Sequence, residues 1–241
     1  MIHIVDHLFI LILFLVQPIH GAWEFNRYVK RVEAGEAPDR IKLYRETLSI
    51  EWIAFAALAG AWYLLGRPIA DLGYVAPGGV GFWAGAAFVA AFSAYLLLSW
   101  RQSKQLTNED KEKHIVSFGK LQHFLPQGDR EYRYFAALST TAGIVEETLY
   151  RGFVLWYLFS YMPVWAAVIV SAIAFGLGHS YQGAGGVARV TAIGLVFGAL
   201  YIFTGSIWVP IIGHILLDAL QGLSFVEIFR KDPDASATQP A

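Results

Sequence analysis

Residues 206–225 read SIWVPIIGHILLDALQGLSF. A helix of about 20 mostly apolar residues crosses the hydrocarbon core of a bilayer. This run is long enough, yet it carries His214 and Asp218. An ionisable group at the centre of such a helix costs about 2.5–3.5 kcal/mol on insertion scales. Spaced four apart, the two share one helix face, so they are expected to point at a partner within the protein and away from lipid. Trp208 and Pro210 mark the helix start. Taken alone, the pair also fits a structural hydrogen bond between helices.

The rest of the chain has the same character. Of its 241 residues, 56% are hydrophobic and 15% charged, against about 25% charged in soluble domains. Mean hydropathy is +0.47. The surface must therefore be largely apolar, and lipid is its natural solvent. Formal net charge is only -1. No basic stripe with interleaved aromatics points to nucleic acid. Cysteine is absent, which excludes disulfides, a thiol nucleophile and Cys-ligated metal.

Seven spans are expected, at about Ile4–Ile19, Leu48–Leu65, Val80–Trp100, Tyr134–Phe159, Val164–Gly178, Val187–Phe203 and Ser206–Phe225. The fold class is thus an all-α polytopic membrane helix bundle. The first span lacks a basic leader and a small-residue cleavage site and carries Asp6, so it reads as a span and not as a signal peptide. Gly21–Thr47 reads as a polar connector. Within it, Trp23, Phe25, Tyr28, Val29 and Val32 fall near helical spacing, as in an interfacial amphipathic helix. Arg67–Gly79 reads as a Gly/Pro turn. Arg101–Arg133 reads as a second basic connector, broken at Pro126-Gln127-Gly128. The division follows: 1–133 holds N-terminal spans with basic connectors, 134–225 the chemistry-bearing core, and 226–241 a short polar tail. Lys and Arg crowd the Gly21–Thr47 and Arg101–Arg133 connectors, whereas Arg67 stands alone between them. The positive-inside rule puts the two basic connectors, and the C-terminus, in the cytoplasm.

Ionisable groups inside the apolar spans are few, and nearly all are expected in three of them. The fourth span holds Glu146, Glu147 and Arg151 in GIVEETLYRGF, the fifth ends in FGLGHS with His179, and the seventh holds His214 and Asp218. Glu147 and Arg151 stack at i,i+4 in the favourable order, whereas Glu146 is rotated about 100° away. One carboxylate thus has a built-in cation and its neighbour does not, and an unpaired carboxyl in a dry site suits a general base. Carboxylates and imidazoles from three helices can activate water and stabilise an oxyanion.

The three patterns, in order and each in apolar context, resemble the signatures of the CAAX-protease and bacteriocin-processing (CPBP, Abi) family of intramembrane glutamic endopeptidases. EETLYR matches Glu-Glu-x-x-x-Arg, Phe175 to His179 matches Phe-x-x-x-His, and His214 to Asp218 matches His-x-x-x-Asn/Asp. The likeness covers roughly Leu138–Leu223. It implies peptide-bond hydrolysis in or at the edge of the membrane, on a membrane-anchored peptide or protein, with membrane lipids as the other partner. By similarity, Glu146 and His179 position and deprotonate the water, His214 and Asp218 bind the oxyanion, and Glu147 and Arg151 support them. Eukaryotic CAAX endopeptidases carry Asn where this chain has Asp218. An ionised Asp218 repels an oxyanion, so it either carries a proton or holds His214 as the binding cation.

The resemblance favours a mechanism without cofactor. The alternative is zinc held by Glu146, His179, His214 and Asp218, although no HExxH is present. Two further alternatives are a non-catalytic bacteriocin-immunity-type membrane protein and a transporter, the latter disfavoured by the lack of an internal repeat. The expected location is an integral multi-pass position in a bacterial inner (plasma) membrane.

Overall fold

Two long helices meet where the sequence reads as a polar connector. The computed structural model describes residues 1–230, so the tail expected at 226–241 lies outside the described residues from 231 onward. Helix α1, Ile4–Glu33, continues well past Ile19. It passes through a π-helical turn at Ile12–Val16. That widened turn lies just before Pro18, which has no N–H to donate back along the helix. Helix α2, Arg40–Leu64, starts before the expected span, with Asp39 accepting from the Lys42 N–H at 2.9 Å as its cap. The connector expected over Gly21–Thr47 is therefore helix except at residues 34–39. The expected amphipathic helix is the last part of α1, not a separate interfacial element. Phe25, Tyr28 and Val29 are buried against Phe124 and Tyr181. The reason is physical: Arg, Lys and Glu are good helix formers, so charge ends the apolar stretch without ending the helix.

Helix α3 is Gly79–Ser103. The second basic connector folds too: α4 spans Asn108–Phe118 under a Thr107 cap, and a 3₁₀ turn covers Gly119–His123. Helix α5 begins at Asp129 and runs to Glu147, then unbroken through a π-helical turn at Thr148–Val154 and a last turn at Leu155–Leu158. Helix α6 (Val164–Gly178) lies where expected; α7 (Gly183–Thr204) starts before the expected Val187, and α8 (Trp208–Phe229) runs past the expected end at Phe225, so 226–229 are helix, with Val226 and Ile228 buried, and not part of a polar tail.

Helix α5 is central. It packs on α2 and α8, and its π turn also meets α6 and α7. Small residues allow close crossings. A Cβ on Gly143 would lie 2.4 Å from the Ile215 side chain and 3.1 Å from the Ile211 carbonyl. One on Gly176 would lie 2.9 Å from the Val187 carbonyl. These two glycines set how closely α5 approaches α8 and how closely α6 approaches α7.

Among the described residues, five helices are long and apolar enough to cross a membrane: Ile4–Glu33, Arg40–Leu64, Gly79–Ser103, Ser180–Thr204 and Trp208–Phe229. Val164–Gly178 is apolar but shorter. Helix α5 owes its lower hydropathy to the polar groups it carries into the bundle interior. Leu15, Ile53, Trp83, Trp165 and Ile173 are exposed around the outside. A soluble monomer rarely exposes so much contiguous apolar surface. The molecule is an integral membrane helix bundle.

Candidate active site

The polar groups of the three signatures converge from α5, α6 and α8. Glu147 and Arg151 form the floor, 0% and 1% exposed. Arg151 donates to Glu147 Oε1 at 2.9 Å and to the Gly194 carbonyl at 3.1 Å. Its guanidinium lies 4.4 Å from the centre of the Phe175 ring. The cation is therefore satisfied by a carboxylate, a carbonyl and a π face, as a buried charge requires. Glu147 Oε1 also pairs with His214 Nδ1 at 2.8 Å. That contact orients the imidazole, with Nδ1 donating to the carboxylate and Nε2 facing outward.

Around His214 Nε2 lie Glu146 Oε2 at 3.8 Å and Asp218 Oδ2 at 3.5 Å. The second signature contributes from the end of α6. His179 Nδ1 contacts the Phe175 carbonyl at 2.9 Å. With Nδ1 donating there, Nε2 faces Glu146 Oε2 at 4.0 Å. The Phe-x-x-x-His spacing thus has a local cause: one helical turn brings the carbonyl under the ring. Side-chain exposure rises from 7% at His214 to 18% at His179, 19% at Glu146 and 36% at Asp218. The site is closed at Arg151 and opens past Asp218.

All six residues singled out in the sequence are thus brought together. Among the described residues, no three His, Asp or Glu side chains are grouped as a metal ion needs.

Residues 130–220 match the family model described as type II CAAX prenyl endopeptidase Rce1-like. This segment is similar to that family. No curated protein and no solved structure matches the chain. The Rce1-like segment contains all three signatures and the whole of the site described above. The remaining helices close around it. Gln17 of α1 donates to the Gly178 carbonyl at 3.4 Å, and Ser180 donates to the Pro18 carbonyl at 3.1 Å.

The expectation that three helices hold nearly all the intramembrane ionisable groups needs correction. Glu51, on α2 and outside the Rce1-like segment, lies on the inward face of α2 that packs on α5, beside Trp52, which donates to Thr141 about one turn and a half before Glu146. Among the described residues, its buried Oε2 has no hydrogen-bond partner. A signal was present. Tyr44, Leu48, Phe55, Leu58 and Trp62 make a stripe at three- and four-residue spacing, and all five pack inward. Glu51 sits on that stripe. An ion pair also ties the first span to the turn after α2: Arg67 donates twice to Asp6, at 2.7 Å each, with its guanidinium 4.9 and 4.5 Å from the ring centres of Trp62 and Trp156.

Proposed function

We propose that this chain is an intramembrane endopeptidase that hydrolyses a peptide bond of a membrane-associated protein or peptide with water activated by Glu146 and His179. One observation carries the reading. Glu146 Oε2 faces two imidazole Nε2 atoms from different helices, at 3.8 and 4.0 Å. These separations are too long for direct hydrogen bonds. They suit a single oxygen hydrogen-bonded to both sides.

In the proposed step, Glu146 takes a proton from that water as its oxygen attacks the scissile carbonyl. The developing oxyanion is met by His214, whose Nδ1 is already committed to Glu147 and whose Nε2 points into the opening. Collapse of the intermediate breaks the C–N bond, and Glu146 returns its proton to the leaving nitrogen. The products are a carboxylic acid and an amine, so atoms and charge balance. Asp218 Oδ2 lies 3.5 Å from His214 Nε2. That supports the reading in which Asp218 acts through His214 and does not bind the oxyanion itself. The metal-free mechanism is preferred on the likeness to glutamic endopeptidases, and zinc held by Glu146, His179, His214 and Asp218 is the alternative.

The test is cleavage of a membrane-tethered reporter by the wild type and by Glu146→Gln, His179→Ala and His214→Ala, each with and without a strong chelator. The expected result is loss of cleavage in all three variants and no effect of chelator. Activity lost to chelator and restored by zinc would replace this mechanism with the metal-dependent one. Cleavage indifferent to the three substitutions would remove the site.

A further inference from the structure

The site holds more acceptors than its own donors satisfy. Glu147 takes Arg151 and the His214 Nδ1. That leaves Glu146 and Asp218 facing the two imidazoles, with Glu51 on the neighbouring face of α2 that packs on α5. Among the described residues, three carboxylate oxygens, Oε2 of Glu51, Glu146 and Glu147, are buried without a hydrogen-bond partner. Glu146 and Asp218 are explained by the chemistry proposed above. Glu51 is not. It is absent from the three signatures, comes from a different part of the chain and has no cation of its own.

A carboxylate in such a place is costly unless something compensates it. Its position is fixed from both sides. Next to it, Trp52 Nε1 donates to Thr141 of α5 at 3.1 Å. Seven residues away in either direction, Tyr44 and Leu58 are buried, 0% and 2% exposed. Glu51 is half-buried as a residue, with its Oε2 enclosed, and α2 is held at this height on both sides. What it can do is accept from a donor that enters with the substrate.

We propose that Glu51 is a specificity-determining residue that receives a basic side chain, Lys or Arg, lying beside the scissile bond. The ammonium or guanidinium supplies the missing donor and offsets the excess of carboxylates, as charge-assisted hydrogen bonds do. A neutral side chain at the same position leaves Glu51 uncompensated, and an acidic one adds repulsion. Selection then comes as much from rejection as from attraction. The inference takes its site from the protease reading but can be tested without turnover.

The test uses the full chain in lipid nanodiscs and short N-palmitoylated Ala/Leu peptide amides. Each peptide carries one Lys, one norleucine or one Glu at a single, systematically varied position. Affinity is measured with Glu146→Gln, with the double variant Glu146→Gln/Glu51→Gln, and with Glu146→Gln/Glu51→Asp. Cleavage of the same peptides is measured with the wild type and Glu51→Gln. At one position Lys is expected to bind about tenfold or more tightly than norleucine, the size of a hydrogen bond to a charged group. Glu51→Gln should bring that ratio close to one, and Glu51→Asp should keep part of it. A Lys preference that survives Glu51→Gln, or no position at which Lys exceeds norleucine, overturns the proposal. A Glu51-dependent Lys preference with no cleavage by the wild type upholds it and sinks the protease reading. Cleavage without a Glu51-dependent preference does the reverse.

Discussion

The two halves of this chain contrast in how their charges are housed. In the Rce1-like segment, residues 130–220, the buried charges form a branched network. Glu147 serves Arg151 and His214 together, and Glu146 faces two imidazoles. In the N-terminal half, Asp6 and Arg67 form one closed pair held by two bonds of 2.7 Å and two indole faces. The closed pair leaves its partners little to offer a ligand, and it fastens the start of α1 to the turn after α2. The network leaves acceptors unsatisfied and directed at an opening. A buried charge that is fully partnered belongs to stability, and one that is not points to chemistry.

The largest expected effect tests the network as a catalyst. Glu146→Gln should lower reporter cleavage at least about 10³-fold, within the range of general acid–base catalysis. The variant should still fold, because Glu146 Oε2 bonds nothing in the protein. Equal thermal unfolding of wild type and variant in detergent checks that part.

Next in size is the floor. Arg151→Met takes away the permanent cation beside buried Glu147, leaving it the His214 imidazole alone, and should cost about 3–5 kcal/mol of stability. Removing both partners, as in Glu147→Gln/Arg151→Met, should cost less than Arg151→Met alone, because position 147 then carries no charge. The closed pair should behave alike in stability but not in function. Arg67→Met should destabilise by about 3 kcal/mol, yet the surviving folded fraction should cleave the reporter normally. If Arg67→Met lowered specific activity as Glu146→Gln does, the contrast between the halves would collapse.

Packing comes below charge. Gly143→Leu forces α5 and α8 apart at Ile215 and should cost about 1–3 kcal/mol, the usual penalty for overpacking. It should also lower activity, because that crossing sets the distance from Glu146 to His214. The smallest effect is Tyr44→Phe. It deletes a hydrogen bond to the Phe124 carbonyl beneath the segment that caps the bundle and should cost about 1 kcal/mol without changing cleavage of the folded fraction.

Three-residue and four-residue spacings made the core legible. Glu147 and Arg151, Phe175 and His179, and His214 and Asp218 are each one turn apart, so their local relation follows from helix geometry alone. Helix α8 ran on past Phe225 to Phe229, whereas α6 ended where its apolar run ends. The first two spans did not, because Arg27, Lys30 and Arg31 ended the apolar run of α1 but not its helix. Glu51 was within an expected span, and its inward stripe was readable. What hid it was the lack of a charged partner at helical spacing on α2.

By itself the sequence determined that this is an all-α membrane protein, which residues share a helix face, and which three patterns carry the likeness to a peptidase family. Those properties are local: hydropathy over one span and neighbours over one turn. Only the tertiary structure decided which faces meet. Glu147 bonds His214 across 67 positions of sequence, His179 faces Glu146 from another helix, and α2 adds Glu51 from outside the matched segment. Contacts between helices depend on how closely the backbones approach and on the rotation of each helix, set here by glycines such as Gly143 and by the packing of whole faces. No single span contains that information, because each face is defined only by the partner it buries.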